Sequence, residues 1–167
     1  MASEANGAAG VTAQATGGGR FQTAIQVRDT VILADEPVAV GGLATGPTPY
    51  ELLSAALAAC TSMTLRLYAE RKRWTLPPFS VEVAHSLMPA AAAGEPPRDR
   101  FDRRIAFAEP VEEAQREKLL EIADKCPVHR TLMRGFEIST RIGPPEEHAQ
   151  GEPVETHERQ MEQACED

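Results

Sequence analysis

Apolar and polar residues alternate over several short stretches of the chain, and this period of two is typical of half-buried β-strands. The first stretch runs from Phe21 to Val27. Arg28-Asp29 then forms a two-residue connection into a second predicted strand, Thr30 to Ala34. The same alternation predicts three further strands, at Phe79–Leu87, Phe101–Phe107 and Phe136–Ile142.

A long apolar segment between the second and third predicted strands has the features of a helix. Thr48 is suited to the N-cap, Pro49 to the first helical position and Glu51 to the third, which completes a capping box. The fourteen residues from Leu52 to Leu65 carry no charge. This run is too short to cross a bilayer, so we predict the buried central helix of a soluble domain and no membrane partner.

A second amphipathic helix is predicted to follow the fourth strand. It begins at Pro110, and Pro127 interrupts it and starts a short helix that continues to Met133. The order of elements is therefore β-β-α-β-β-α-β, an α+β architecture. Because the central helix is apolar on all sides, a sheet can cover only part of it. We therefore expect an intertwined homodimer in which two central helices pack together.

The two ends of the chain differ in composition from the part between them. Residues 1–19 are rich in Ala, Gly, Ser and Thr, and residues 144–167 are acidic and begin with two prolines. Neither end has enough apolar side chains to form a core, so both are predicted to be disordered tails. The folded domain is predicted to span residues 20–143.

The net charge of −8 comes almost entirely from the C-terminal segment, where residues 146–167 contribute −7. Residues 20–145 balance to zero, which gives no basic surface for nucleic acid. The first ten residues lack the basic start and apolar core of a signal peptide, so we expect a cytoplasmic protein.

Three cysteines in a cytoplasmic protein are better interpreted as thiols than as a structural disulfide set. Cys60 lies on the central helix, where a small buried hydrophobe is the alternative interpretation. Cys126 immediately precedes the Pro127 helix start, whose free N–H groups and dipole favour a thiolate. His129 follows within one turn and can add a proton acceptor or a positive charge. Cys165 lies next to Glu166, which disfavours a thiolate, and we expect it to be incidental.

Cys60 and Cys126 can meet if the second helix packs on the first. An attacking thiolate with a resolving thiol beside it is the arrangement that reduces a peroxide. Cys60, Cys126 and His129 are also possible zinc ligands. Their spacing is uncommon and a fourth ligand is lacking, so the sequence favours thiol chemistry without a metal or other bound cofactor.

Two motifs carry a resemblance to a known family. GPTPYELLSAALAACTSMTLRLYA, followed by DKCPVHRTL, resembles the OsmC/Ohr family of osmotically inducible and organic hydroperoxide resistance proteins. The resemblance extends from Phe21 to Ile142. It implies a homodimeric, thiol-dependent peroxidase that acts on organic hydroperoxides, with Cys60 as the peroxidatic cysteine and Cys126 as the resolving one. It also implies that an external dithiol, of the lipoyl type in better-known members, restores the thiols.

The sequence departs from the family pattern around the residues that activate the peroxidatic cysteine. The family carries a Glu directly after the helix-start proline, where this chain has Tyr50 and, one residue later, Glu51. A straight helix places Glu51 about 13 Å from Cys60 along its axis and on the opposite side, so a role for Glu51 needs an arginine or a second chain. Arg20 resembles the activating arginine of the Ohr branch, and a solvated loop charge is the alternative.

These departures leave a second functional hypothesis open. The chain can be a non-catalytic or redox-sensing thiol protein that keeps the fold and the cysteines. The pKa of Cys60 distinguishes the two, since a lowered value favours the peroxidase and an ordinary one, about 8.5, favours the alternative.

Overall fold

The structure, a computed structural model, describes residues 10–90, 92, 94–143 and 157–166. These residues form an α+β fold with a long central helix, which confirms the predicted class. The strands are β1 Val11–Ala15, β2 Thr23–Val27, β3 Thr30–Ala34, β4 Phe79–Met88 and β5 Arg98–Phe107. The α-helices are α1 Pro49–Lys72, α2 Glu113–Asp124, α3 Pro127–Arg134 and α4 His157–Ala164, and a short 3-10 helix spans Val38–Val40.

The described residues divide into two compact units, the first comprising 10–52 and 138–143 and the second comprising 53–137 and 157–166. In the first unit, β1, β2 and β3 form an antiparallel sheet in that order. Arg28-Asp29 joins β2 to β3 as predicted, with Val27 opposite Thr30 and Arg28 in the left-handed region at φ +53°. This two-residue turn sets the register, so that Ile25 lies opposite Ile32.

Strand β1 corrects one prediction, because it lies in the segment 1–19 for which composition predicts disorder. All five of its side chains are exposed. The strand is instead held by its backbone, which pairs with β2 from Val11 opposite Val27 to Ala15 opposite Thr23. Backbone pairing does not require apolar side chains. A strand held in this way therefore cannot be recognised from composition. Residues 1–9 of the predicted tail lie outside the described residues.

A buried carboxylate organises the loop between β3 and α1. Asp35 accepts hydrogen bonds from the backbone N–H groups of Glu36 at 2.8 Å and Leu43 at 3.0 Å, and from the Thr45 hydroxyl at 2.9 Å. Burial opposes its ionisation, but these hydrogen bonds hold the Asp35 pKa below its ordinary value. The loop is thereby fixed just before the start of the central helix.

Helix α1 begins with the capping box that the sequence predicts. The Glu51 carboxylate accepts from the Thr48 backbone N–H at 2.7 Å, and the Glu51 N–H donates to the Thr48 hydroxyl at 3.3 Å. The two bonds satisfy N–H groups that have no partner inside the helix. The predicted helix start is therefore confirmed.

The second unit is built around the rest of α1. Strands β4 and β5 form a ten-residue antiparallel hairpin, and α2 packs on α1 through Leu65 and Tyr68 against Leu119 and Ile122. A fully buried Leu or Ile side chain contributes about 1.5–3 kcal/mol to stability. Although α1 has the length and hydropathy of a membrane-spanning helix, this packing makes it the core helix of a soluble fold.

Two predictions for the C-terminal part are wrong. No strand forms at Phe136–Ile142, because none of the described strands pairs with this segment, and Phe136 and Ile138 are 63% and 78% exposed. Helix α4 forms inside the segment 144–167 that composition predicts to be disordered. It is stabilised by burial of Met161 and Ala164, which lie on one helix face. Residues 144–156 and 167 lie outside the described residues.

Candidate functional site

Two cysteines meet where α3 begins against the middle of α1. The thiols of Cys60 and Cys126 lie in one buried cluster, and each shifts the pKa of the other. Both are free thiols, and only 2% of Cys60 and 0% of Cys126 is exposed. Their apolar neighbours are Leu57, Val83, Phe101, Val128 and Leu132. The site is therefore a pair of buried thiols in a largely apolar cluster.

Cys126 is the N-cap of α3, and its sulfur takes the place of a capping oxygen. Its Sγ accepts from the backbone N–H of His129 at 3.4 Å and lies 3.7 Å from the Thr61 hydroxyl. Pro127 occupies the first turn of α3, where a missing N–H removes no helical hydrogen bond. The free N–H groups of a helix N-terminus stabilise negative charge, so this sulfur is suited to be a thiolate.

An arginine on β5 supports the same sulfur indirectly. The side chain of Arg103 is only 13% exposed and donates to the Thr61 hydroxyl at 3.1 Å and to the Ala123 carbonyl at 2.9 Å. Its guanidinium also pairs with Asp124 at 2.6 Å. The hydrogen bond from Cys60, the His129 N–H, Thr61 and the Arg103 charge together outweigh burial, and they lower the pKa of Cys126 to about 6.

The pKa of Cys60 is shifted in the opposite direction to that of Cys126. The Sγ of Cys60 accepts from the Val128 backbone N–H at 3.4 Å, and Nε2 of His157 lies 3.2 Å from it. The hydrogen bond to Cys126, followed by burial, raises the pKa of Cys60 above its ordinary value. Two neighbouring thiols cannot both carry charge at low cost, and the opposite directions of the two pKa shifts favour the charge on Cys126.

Arg20 and Glu51, predicted to activate Cys60, both lie in the first unit. The Arg20 guanidinium lies 5.0 Å from the centre of the Phe21 ring and is exposed. The Glu51 carboxylate closes the capping box with Thr48. Their roles in the chemistry of Cys60 stay predictions.

Three residues of the site were not predicted from the sequence: Thr61, Arg103 and His157. The composition of residues 144–167 predicts disorder at His157, although its spacing to Met161, Ala164 and Cys165 is that of one helix face. Thr61 and Arg103 carry no motif that separates them from ordinary helix and strand residues.

Three further sequence predictions concern residues around the pair. His129 acts through its backbone, while its Nδ1 lies 3.9 Å from Asp124. Cys165 is buried with its Sγ 3.9 Å from the Thr64 carbonyl, and burial raises its pKa. Over residues 10–90, 92, 94–143 and 157–166, no three Cys, His, Asp or Glu side chains are placed to hold a metal ion.

Comparison with known proteins places this geometry in a family. The family model described as OsmC-like protein matches residues 41–141, more than half of the chain and a range that contains both cysteines. No curated protein sequence matches the chain significantly.

Solved structures share the fold at low sequence identity. An organic hydroperoxide resistance protein OsmC from Legionella pneumophila is 19% identical with a TM-score of 0.59, over 76% of this chain and 89% of that one. The organic hydroperoxide resistance protein OhrB of Bacillus subtilis is 22% identical with a TM-score of 0.56, over 76% and 90%. An OsmC-like protein from Mycoplasma pneumoniae is 24% identical with a TM-score of 0.58, over 75% and 86%. From the family match and the shared fold, the chain belongs to the OsmC-like protein family.

Proposed function

We propose that the protein is a thiol-dependent peroxidase that reduces organic hydroperoxides, with Cys60 as the attacking cysteine and Cys126 as the resolving one. The proximity of the two thiols carries this proposal, since both lie in one buried cluster and their sulfurs accept from the consecutive backbone N–H groups of Val128 and His129. A disulfide requires the sulfurs to approach to about 2 Å, and two thiols in one buried cluster are placed to approach each other. The fold shared with hydroperoxide resistance proteins agrees with this function.

The reaction proceeds in three balanced steps. The Cys60 thiolate attacks the terminal oxygen of ROOH, so that an S–O bond forms, the O–O bond breaks and RO⁻ leaves to become ROH after protonation. The Cys126 sulfur then attacks the Cys60 sulfenic acid; an S–S bond forms and the hydroxyl leaves as water after protonation. An external dithiol reduces the disulfide with two electrons and is itself oxidised to a disulfide.

The surroundings of the pair favour an organic substrate. Side chains of Leu57, Phe101 and Leu132 pack around the sulfurs. Apolar walls stabilise the carbon chain of an alkyl hydroperoxide and gain nothing from hydrogen peroxide, which is polar throughout. The proposed reductant is a lipoyl-type dithiol in the cytoplasm, and the chemistry needs no bound cofactor.

The exposed face of α1 supports a homodimer as the functional unit. Leu53, Ala56, Ala59 and Met63 lie on one side of the helix and are exposed, with Leu53 and Met63 at 45% and 44%. Small residues between larger apolar ones allow two helices to approach closely. A second copy of α1 is a self-complementary partner for this surface.

The test is peroxide consumption by the purified protein with dihydrolipoamide as reductant and cumene hydroperoxide as substrate. Cys60→Ser is expected to abolish turnover, whereas Cys126→Ser is expected to form a stable sulfenic acid and stop after one oxidation. Cys165→Ser, which removes the third thiol, is the matched control and is expected to turn over normally. Unchanged turnover in Cys60→Ser contradicts the assignment of the attacking cysteine.

A redox sensor is the second candidate, and the raised pKa of Cys60 together with the burial of both thiols favours it. A sensor forms the Cys60–Cys126 disulfide once and is not recycled rapidly. Stoichiometric loss of two thiols per chain, without continued consumption of peroxide in the presence of dihydrolipoamide, distinguishes this candidate from the peroxidase.

A further inference from the structure

His157 is the first residue of α4, and its Nε2 lies 3.2 Å from Cys60 Sγ. Its position is held by the packing of the helix that carries it. Met161, Ala164 and Cys165 are buried, and Arg71 on α1 donates to the Glu162 carbonyl at 3.0 Å. The Arg71 guanidinium also pairs with the Glu162 carboxylate at 3.1 Å. The imidazole is thus anchored beside the thiol by a helix with its own buried face.

The proposed peroxidase reaction requires the Cys60 thiol to lose its proton. Only a thiolate attacks a peroxide, so the proton of the Cys60 thiol must leave before the attack. The His129 N–H, the Thr61 hydroxyl and Arg103 all stabilise charge on Cys126. For the negative charge to move to Cys60, a group next to Cys60 must accept its thiol proton and supply a positive charge beside the thiolate.

The charged and titratable groups facing the pair come from four elements. Cys126 caps α3, and His157 begins α4. Arg103 on β5 acts through Thr61 and is paired with Asp124 at the end of α2. Cys165, just after α4, lies against the Thr64 carbonyl, one turn along α1 from Cys60. Of these groups, His157 is the base that contacts Cys60.

We propose that His157 is a catalytic acid–base residue, which takes the proton of the Cys60 thiol and returns it to the alkoxide leaving group. This inference rests on the proposed peroxidase function. Neutral imidazole accepts the thiol proton and becomes imidazolium beside the Cys60 thiolate. The thiolate attacks ROOH, the S–O bond forms as the O–O bond breaks, and the imidazolium proton passes to RO⁻. Neutral imidazole is regenerated, and no proton is gained or lost in the cycle.

The position of α4 also gives Cys60 a positively charged neighbour when the His157 ring is protonated. Arg103 stabilises charge on Cys126 and leaves Cys60 without a cation of its own among the described residues that act on the pair. An imidazolium at 3.2 Å supplies that charge for as long as the proton stays on the ring. Proton transfer to His157 is therefore the step that places the negative charge on Cys60.

The experiment measures this distribution without peroxide. The reduced wild-type chain, His157→Gln and His157→Ala are each treated with limiting iodoacetamide over a range of pH, and mass spectrometry gives the ratio of label on Cys60 to label on Cys126. We expect the ratio to fall about tenfold in both variants. Arg159→Gln, which changes an exposed residue of the same helix, is the matched control and is expected to keep the wild-type ratio.

Turnover provides a second measurement. General acid–base groups contribute about 100-fold or more, so kcat/KM for cumene hydroperoxide is expected to fall about 100-fold in His157→Ala. Added imidazole is expected to restore part of the loss in His157→Ala and none in His157→Gln, whose side chain fills the space. Rescue separates proton transfer from a disturbed helix, because free imidazole cannot repack α4.

Two outcomes overturn the proposal: an unchanged labelling ratio in both His157 variants, or an equal fall in Arg159→Gln. If the wild-type protein consumes no hydroperoxide, the proposed function fails. The labelling ratio still decides whether His157 controls the charge on Cys60, so the two failures are distinguishable.

Discussion

Arg103 donates a hydrogen bond at 3.1 Å to the Thr61 hydroxyl, which itself lies 3.7 Å from Cys126 Sγ. A strand residue thereby influences a sulfur at the start of a helix through a third side chain. The same guanidinium binds the Ala123 carbonyl, so it also ties the end of α2 to α1. This link makes the electrostatics of the thiol pair depend on the β-hairpin.

Replacing Arg103 is expected to change both the thiol and the stability. Arg103→Gln removes a positive charge that lowers the pKa of Cys126, so this pKa should rise. Loss of hydrogen bonds from a largely buried charged group should also lower the free energy of unfolding by about 1–3 kcal/mol. Ultraviolet titration of the thiolate and urea unfolding measure the two effects. Arg100→Gln, at an exposed pair with Asp102, is the control and should change stability by about 1 kcal/mol or less. A Cys126 titration unchanged in Arg103→Gln contradicts the link.

The wild-type dithiol is expected to carry one negative charge at neutral pH. Because the pKa of Cys126 is lowered to about 6, its thiolate forms as the pH rises through that value and is lost as the pH falls below it. The raised pKa of Cys60 means that no second thiolate forms near neutrality. Thiolate absorbance against pH, with Cys126→Ser as the variant that lacks this step, measures the charge. Two thiolates per chain at pH 7 are incompatible with the shared proton.

Removing Cys126 is expected to make Cys60 more acidic. The hydrogen bond to Cys126 is the largest cause that raises the pKa of Cys60, so Cys126→Ser should lower it relative to the wild-type chain. The rate of Cys60 alkylation as a function of pH reports the shift. Cys165→Ser leaves the pair intact and should reproduce the wild-type profile. A Cys60 profile that does not move in Cys126→Ser shows that the two thiols titrate independently.

Gly46 is expected to tolerate no side chain. A Cβ at this position would lie 1.9 Å from the Leu33 carbonyl oxygen, so the backbone of β3 or of the loop must shift. Overpacking of this kind costs about 1–3 kcal/mol, and we expect Gly46→Ala to fall at the upper end because a backbone atom cannot rotate away. Thermal unfolding measures the loss. Gly143→Ala, where a Cβ would meet no atom within 4 Å, is the control and should unfold like the wild type. Equal stability of the two variants contradicts the close approach.

The proposed homodimer, in which a second copy of α1 covers the exposed apolar face of α1, can be tested by a substitution on that face. Ala59→Arg places a long charged side chain in the middle of that face and is expected to convert a dimer into a monomer, because two such charges would meet across the helix pair. Light scattering after gel filtration gives the mass. Glu70→Gln, at an exposed polar position of the same helix, should leave the dimer intact. A wild-type monomer at micromolar concentration contradicts the dimer.

Elements that depend on neighbours in the sequence were predictable. The Thr48–Glu51 capping box and the Arg28-Asp29 connection need only residues within a few positions of one another, and both are found as predicted. The strand predicted at Phe136–Ile142 failed for the opposite reason. A strand needs a partner for its backbone, and periodicity alone cannot supply one.

The sequence by itself determined the central helix, its capping and the two cysteines as the candidate chemistry, because these depend on local hydrogen bonds and on residue type. Tertiary structure alone decided which sulfur carries the charge. Residues from β5, α1, α3 and α4 meet at one pair of sulfurs, and His157 lies 97 positions from the Cys60 thiol that it contacts. The pKa of a buried group depends on every charge and hydrogen bond around it, and those neighbours are known only once the chain has folded.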